Sequence, residues 1–201
     1  TSPPPKELEK VARSTSARPT RVCRPLSPKV QADCQARFSV EESLVLGPKA
    51  EHRFGRKAEG MWLAETAVDL ATLELLAEHG VRYTVLSPYQ ALRTRARRGA
   101  WRDVRGGAVD PTRPYVVRLG SGRRIAVFFY DGPISRAVAF ERLLNSGEAF
   151  ANRLLTGFHD GPGPQLVNIA TDGESYGHHH RYGEMALAHA LQLLDGRDDV
   201  T

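Results

Sequence analysis

From about residue 60 onward, short apolar runs alternate with segments whose apolar residues recur at helical spacing, and this pattern predicts strands that alternate with helices. Residues 60–64 are a short apolar run that predicts a buried strand ending at Glu65. A helix is predicted next, with Asp69 as its N-cap and Gly80 just after its C-terminus. Its apolar residues recur on one face: Leu70, Leu73, Leu76 and Ala77. Residues 81–86 form the second predicted strand, so this stretch is a βαβ unit that favours a parallel sheet.

The middle of the chain predicts a hairpin followed by two amphipathic helices. Residues 115–119 and residues 124–130 are apolar runs that flank the glycine-rich turn Gly120-Ser121-Gly122. Residues 134–144 and residues 147–158 then carry apolar positions at helical spacing. The predicted fold class is therefore α/β with parallel strands.

The last third of the chain carries its densest group of chemically active side chains. Residues 166–170 are an apolar run that predicts a strand, and residues 184–194 predict a helix with one apolar face. Between them lies Thr171-Asp172-Gly173-Glu174-Ser175-Tyr176-Gly177-His178-His179-His180. A rigid scaffold often presents catalytic groups on such a turn, so these residues are the first candidates for a functional site.

Two stretches show neither period. Residues 1–50 are rich in proline, serine, threonine and arginine, and they are predicted to be an irregular or disordered extension. Residues 89–114 are rich in arginine and glycine, and they are interpreted as a solvated loop. Cys23 and Cys34 lie in the first stretch without CxxC spacing, so they predict neither a disulfide scaffold nor a zinc site.

The composition is that of a globular protein, because 41% of the 201 residues are hydrophobic and 25% are charged. The formal net charge of +5 is a modest excess, and we expect no nucleic-acid partner from it. No run approaches the roughly 18 apolar residues that a membrane-spanning helix needs. The N-terminus also lacks the charged-then-apolar order of a signal peptide. We therefore expect a cytoplasmic protein without a membrane partner.

Acidic residues end three of the predicted strands: Glu65, Asp131, and Asp172 together with Glu174. In parallel α/β architectures, functional groups gather where strands end at the carboxyl edge of the sheet. A pair of carboxylates at such an edge suits glycoside chemistry, in which one attacks the anomeric carbon and the other protonates the leaving oxygen. The alternative is that Glu65 and Asp172 are helix N-caps or ion-pair partners.

Histidines and aromatic rings beside these acids leave further alternatives open. His178-His179-His180 could supply imidazole ligands to a metal, although adjacent residues rarely all bind one ion. Otherwise one histidine bonds a carboxylate or a substrate hydroxyl. Trp62 and Tyr176 lie beside the candidate acids, where an aromatic ring either stacks on a sugar or packs in the core.

Two segments together resemble signature regions of glycoside hydrolase family 57: Gly60-Met61-Trp62-Leu63-Ala64-Glu65-Thr66-Ala67 and Thr171-Asp172-Gly173-Glu174-Ser175-Tyr176-Gly177-His178-His179. The resemblance covers roughly residues 51–194. It implies that Glu65 is the nucleophile and that Asp172 is the general acid/base. It also implies that the sugar lies near Trp62, Glu174 and His178. The segment between the two signatures resembles a poorly characterised bacterial branch of that family.

The family resemblance implies an incomplete (β/α)7 barrel of parallel strands that requires neither a cofactor nor a metal. Family members carry a His-Gln-Pro type motif on their first strand, and no such tripeptide precedes Gly60. Residues 51–201 are therefore expected to be the later part of the barrel, and residues 1–50 an extension that does not resemble the family.

The function that follows is a retaining α-glycosidase or α-glucanotransferase domain that acts on α-glucan. Five residues are expected to bind the substrate around the two acids: Trp62, Asp131, Glu174, Tyr176 and His178. One alternative is a catalytically inactive carbohydrate-binding or degenerate fragment of such an enzyme. Another is a metal-dependent hydrolase that uses Asp172 and the cluster His178–His180.

Overall fold

The computed structural model describes residues 51–200 and the backbone of residues 6–8. The chain divides into two compact units, which we call the sheet unit and the helical unit. Among the described residues, the sheet unit comprises residues 6–8, 51–109 and 114–129. The helical unit comprises Asp110–Arg113 and residues 130–200.

A mixed sheet of seven strands forms the sheet unit among the described residues. The strands are β1 (Lys6–Leu8), β2 (Gly60–Met61), β3 (Tyr83–Leu86), β4 (Arg93–Arg95), β5 (Arg102–Asp103), β6 (Tyr115–Arg118) and β7 (Arg124–Phe129). Their order across the sheet is β2-β3-β7-β6-β1-β4-β5. β3 is parallel to both β2 and β7, and β1 is parallel to β6. The predicted parallel sheet is therefore confirmed, and it also contains antiparallel pairs.

β1 lies within the stretch that the sequence predicts as an irregular extension. Its three residues pair with β6 on one side and with β4 on the other. The other residues of the range 1–50, including Cys23 and Cys34, lie outside the described residues.

The βαβ unit forms as the sequence predicts. The helix α1 spans Leu70–Glu78, and the Asp69 carboxylate caps it by accepting the backbone N–H of Thr72 at 2.9 Å. Gly80 follows the helix at φ +82°, a left-handed conformation that glycine adopts without steric cost. The first strand is shorter than predicted, because β2 ends at Met61.

The predicted hairpin is also present, since β6 and β7 are antiparallel and are joined by the turn that contains Ser121. The Ser121 backbone N–H and hydroxyl donate to the two carboxylate oxygens of Glu74 on α1, at 2.9 and 2.6 Å. These donors, the hydroxyl first, hold the pKa of Glu74 below its usual range. The core of the sheet unit includes Leu73, Leu76, Leu86, Tyr115, Val117, Ile125, Val127 and Phe129.

The prediction of a solvated loop over residues 89–114 is wrong for part of that stretch, because β4 and β5 form an antiparallel pair there. Thr94 is buried between two arginines of β4. The guanidinium groups of those arginines, Arg93 and Arg95, lie 5.1 and 4.5 Å from the ring centre of Trp101. Cation–π contacts of this kind order a strand whose side chains are mostly charged.

Three helices build the helical unit: α2 (Gly132–Phe140), α3 (Gly147–Leu155) and α4 (Gly183–Asp195). They confirm the three predicted helices, although α2 and α3 end earlier than predicted. The Ser146 hydroxyl caps α3 by accepting from Ala149 N at 3.2 Å. The core of this unit is Val138, Leu144, Phe150, Ala151, Ala186 and Ala190. No helix in the described part of the chain is long and apolar enough to cross a membrane.

The strand predicted over residues 166–170 does not form, so this prediction is wrong. Instead, every second residue of the segment makes a hydrogen bond to a different part of the helical unit. Leu166 N donates to Thr112 O at 3.0 Å, and Asn168 O accepts from Asp131 N at 2.8 Å. Ala170 N donates to the Ser135 hydroxyl at 3.1 Å. An apolar run becomes a strand only beside a continuous partner, and these three bonds lead to separate segments.

Candidate functional site

Glu65 lies in a tight turn that follows β2 in the sheet unit. The turn is one 3-10 helix, Ala64–Thr66, and Leu63 is buried just before it. Glu65 and Thr66 both adopt left-handed backbone conformations, at φ +57° and +50°. Non-glycine residues adopt this conformation at a cost, and it persists only where the surroundings hold it.

The buried side chain of Gln90 holds this turn. Its amide donates to Thr66 O at 2.8 Å, and its carbonyl oxygen accepts from Ser87 N at 2.9 Å. Ser87 and Gln90 form a capping box just after β3, the parallel neighbour of β2. The Glu65 carboxylate is therefore presented to solvent from a turn that is fixed to the adjacent strand end. Trp62, which precedes it, is 43% exposed and is not a core residue.

Asp172 precedes a second 3-10 turn, Gly173–Ser175, in the helical unit. Ser175 N donates to Asp172 O at 3.0 Å, and Ser175 itself is buried, so the turn is packed from beneath. Asp172 and Glu174 are exposed. The Tyr176 hydroxyl lies 3.1 Å from the Thr171 hydroxyl, which fixes the half-buried ring on one flank of the turn.

The three histidines have three different environments. The His179 ring lies 3.5 Å from a Glu174 carboxylate oxygen and packs edge-on against His178, with the ring centres 5.0 Å apart. His180 instead lies 3.1 Å from Ala139 O on α2. Within residues 51–200 we find no group of three or more histidine, cysteine or acidic side chains arranged to hold a metal ion. The three side chains therefore do not converge on one point.

Asp131 makes one hydrogen bond with its side chain and another with its backbone. Its carboxylate accepts from Ile134 N at 2.8 Å and so caps α2, and its backbone N–H donates to Asn168 O. It therefore links α2 to the segment that leads to Asp172. The sequence left open that Glu65 and Asp172 are helix N-caps. Neither side chain accepts a capping hydrogen bond, whereas the Asp131 side chain does.

The two units divide the predicted site residues between them. Trp62 and Glu65 belong to the sheet unit. The helical unit contains the other five: Asp131, Asp172, Glu174, Tyr176 and His178. Within each unit, an exposed carboxylate lies on a short 3-10 turn, which Gln90 holds at Glu65 and which hydrogen bonds within the turn hold at Asp172. Such turns can present a nucleophile or a proton donor in a fixed position.

Sequence reasoning missed the residues that fix these turns. Gln90 could have been found from the Ser87-Pro88-Tyr89-Gln90 pattern, which matches a capping box. Ser135 gives no such signal, because its hydroxyl bonds to a residue 35 positions away. The role of Thr171 is also not evident from the sequence, because the sequence predicts that its partner Tyr176 contacts a sugar and not another side chain.

Comparison with protein-family models matches residues 45–198 to Glycosyl hydrolase family 57. Among solved structures, the fold is similar to that of a 4-alpha-glucanotransferase from Thermococcus litoralis, with a TM-score of 0.55 and 19% sequence identity. This similarity covers 78% of the chain and 23% of the glucanotransferase, so the chain spans about a quarter of that protein's length. Comparison with curated proteins finds no match.

Proposed function

The chain belongs to glycosyl hydrolase family 57, and from this premise we propose that it is a retaining glycosidase or glucanotransferase domain that acts on α-glucan. The observation that carries the proposal is the family match, which includes both carboxylate-bearing turns. The similar structure supports the choice of substrate, because that protein is a 4-alpha-glucanotransferase. Residues 51–201 are proposed to be part of a (β/α)7-type barrel, and residues 1–50 an extension of it.

We propose that Glu65 is the nucleophile and Asp172 the general acid/base. In the first step the Glu65 carboxylate attacks C1 and forms a β-glycosyl ester, while the glycosidic bond breaks and Asp172 protonates the leaving oxygen. In the second step Asp172 removes a proton from water or from a sugar hydroxyl, which attacks C1 and releases Glu65. The exposure of both carboxylates supports these roles. The mechanism uses neither a metal nor an organic cofactor.

Five side chains are proposed to form the sugar-binding site around these two acids. Trp62 is half-exposed beside Glu65, where its ring can stack on the apolar face of a pyranose. Glu174 and His178 are exposed next to Asp172. Tyr176 and Asp131 already make hydrogen bonds within the protein, so they are proposed to shape this part of the site. We place the protein in the cytoplasm, as the sequence predicts.

The experiment that tests the proposal compares wild-type turnover of maltoheptaose with that of Glu65→Gln and Asp172→Asn. Each substitution removes a charge and a proton-transfer or nucleophilic group, so we expect losses of roughly 10²- to 10⁴-fold. Glu148→Gln, which changes an exposed acid on α3, is the matched control and should keep wild-type activity. Turnover that survives either site substitution would refute the assigned role of that residue.

Azide rescue with α-glucosyl fluoride separates the two roles. Azide should give the α-glycosyl azide with Asp172→Ala, because it attacks the accumulated β-glycosyl ester. It should give the β-glycosyl azide with Glu65→Ala, because it attacks the α-fluoride directly. The opposite products would exchange the two roles. An experimental structure should place the two carboxyl groups about 5–5.5 Å apart, the separation that retention requires.

A non-catalytic carbohydrate-binding domain is the second candidate. It is favoured by the exposed ring of Trp62, which can stack on a sugar whether or not the sugar is cleaved. The same assay distinguishes the two, since maltoheptaose binding without turnover in the wild type supports this candidate.

A further inference from the structure

A groove of about 840 Å³ opens on the helical unit, and none of the side chains assigned above lines it. Its walls include Asn145, Ser146, Arg181, Tyr182, Met185 and His189. The volume lies in the range of pockets that hold small ligands. None of these residues has a part in the proposed catalytic steps.

One wall of the groove is a single face of α4. Tyr182 caps the helix, and Met185 and His189 follow it at positions i+3 and i+7, so the three side chains lie along one stripe. Tyr182 is 56% exposed and Met185 is 63% exposed. This stripe is a row of two large apolar side chains and one imidazole that face solvent.

The other wall is the N-terminus of α3, and a glycine sets its distance from α4. A Cβ at Gly147 would lie 2.8 Å from Ala186 O and 2.7 Å from the Cβ of His189. Only glycine permits this close approach. The two helices therefore meet at the floor of the groove, and its shape is fixed by backbone contacts.

The backbone of Tyr182 is held in place at the start of α4. Tyr182 has a left-handed conformation, at φ +65°, and its carbonyl accepts from Met185 N and Ala186 N. The next residue, Gly183, lies against the turn that follows Asp172, since a Cβ there would be 3.2 Å from Ser175 O. The groove thus borders the turn of the proposed acid/base.

Backbone strain gives an independent indication of function. Within the described residues, the non-glycine residues with positive φ are Glu65, Thr66, Arg142 and Tyr182. Two of them form the Glu65 turn. The other two border the groove, because Arg142 immediately precedes the 3-10 turn Leu143–Asn145 that contributes to its wall. Strain of this kind concentrates at functional sites.

The chemistry of the groove fits a sugar chain. The Arg181 guanidinium lies 4.9 Å from the centre of the Tyr182 ring and covers one of its faces. The ring and Met185 form an apolar platform, and Asn145, Ser146 and His189 supply hydrogen-bonding groups around it. A glucan has the matching surface, because its rings are apolar on their C–H faces and carry hydroxyls at their edges.

We propose that this groove binds a short stretch of α-glucan, with Tyr182 as the stacking platform and Asn145 and His189 as hydrogen-bonding partners. The choice of α-glucan rests on the proposed function. The position of the groove beside the Asp172 turn makes it a subsite for a part of the chain remote from the bond that is cleaved.

The test is calorimetric titration of the 201-residue chain with maltoheptaose, beside a β-1,4-linked cello-oligosaccharide and inorganic phosphate. Tyr182→Gly removes the ring and also relieves the left-handed conformation, so its melting temperature should equal or exceed that of the wild type. We expect it to bind maltoheptaose about tenfold more weakly, the size of a lost aromatic stacking contact. Tyr182→Phe should bind like the wild type.

Arg142→Gly is the matched control, because it relieves the same kind of strain at the border of the groove and leaves the platform intact. It should bind maltoheptaose like the wild type. Unchanged binding by Tyr182→Gly would overturn the proposal, as would phosphate binding in place of maltoheptaose. A wild type that binds maltoheptaose through Tyr182 but does not cleave it would uphold the groove and refute catalysis.

Discussion

The turn at Glu65 and the turn at Asp172 have similar sequence patterns, but they are held in different ways. Each follows an apolar run, carries an exposed acid and precedes a helix. The Glu65 turn follows a paired strand, and a side chain from the neighbouring strand end holds its strained backbone. The Asp172 turn follows an unpaired segment that is fixed at separate points and packs against Gly183. The same local pattern thus occurs with and without a strand.

The comparison can be tested most strongly with two glycine substitutions. Gly183→Ala would bring a Cβ within 3.2 Å of Ser175 O and Tyr176 Cα and 3.1 Å of Leu144. These neighbours would have to shift by a few tenths of an ångström, and since Leu144 and Ser175 are buried, we expect a loss of roughly 1–3 kcal/mol in the free energy of unfolding. Urea unfolding measures it.

Gly60→Ala is the counterpart before the Glu65 turn. Its Cβ would collide with the Tyr83 ring at 2.1 Å, but that ring is 39% exposed and can rotate toward solvent. The cost is the edge contact between Tyr83 and Phe128, about 0.5–1.5 kcal/mol, and the gain from replacing glycine in a strand offsets part of it. Equal losses from both substitutions would contradict the claim that the Asp172 turn is held by tighter backbone packing.

The next test removes one polar anchor from each turn. Gln90→Met deletes the bonds to Thr66 O and Ser87 N, and Ser135→Ala deletes the acceptor of Ala170 N. Each lost bond should cost about 1 kcal/mol, because it leaves a backbone group without its partner. Amide hydrogen exchange should accelerate at Ser87 in the first variant and at Ala170 in the second.

A matched control for this pair is Thr156→Ala, whose exposed hydroxyl bonds only within the end of α3. It should leave both exchange rates unchanged. If Ser135→Ala does not alter exchange at Ala170, the separate anchors do not hold the segment before Asp172.

The elements that the sequence predicts correctly depend on signals a few residues apart. Asp69 and Gly80 mark both ends of α1, and the Gly120-Ser121-Gly122 turn marks the hairpin. Residues 166–170 have the composition of a strand, but whether a strand forms depends on a partner that no local pattern specifies. The β4–β5 pair is not predicted, because its strands consist mostly of charged residues and contain one buried threonine, so they lack the composition of a strand.

The candidate site likewise has features that the sequence predicts and features that it does not. Glu65 and Asp172 could be selected from their motifs, since each acid lies in a recognisable turn. The left-handed backbone of Glu65, Thr66 and Tyr182 could not be selected, because nothing in these side chains favours positive φ. Such conformations depend on contacts that are distant in sequence, as for Thr66, whose carbonyl accepts from Gln90 across 24 positions.

The smallest predicted effect separates a charged anchor from a neutral one. Ser121→Ala removes a donor to Glu74 on the helix after the Glu65 turn. The pKa of Glu74 is lowered in the folded state, so its contribution to stability is present above the unfolded-state pKa and is lost as pH falls through the folded-state pKa. The deficit of Ser121→Ala should be below about 1 kcal/mol near neutral pH, because the contact is near the surface. This loss of stability should shrink in acid, whereas Ser121→Thr, which keeps the hydroxyl, should lose little stability.

The loss of stability in Ser135→Ala should not change with pH over the same range, because its bond joins two neutral groups. Urea unfolding across acidic and neutral pH measures both, and equal pH dependence would contradict the difference between the two anchors.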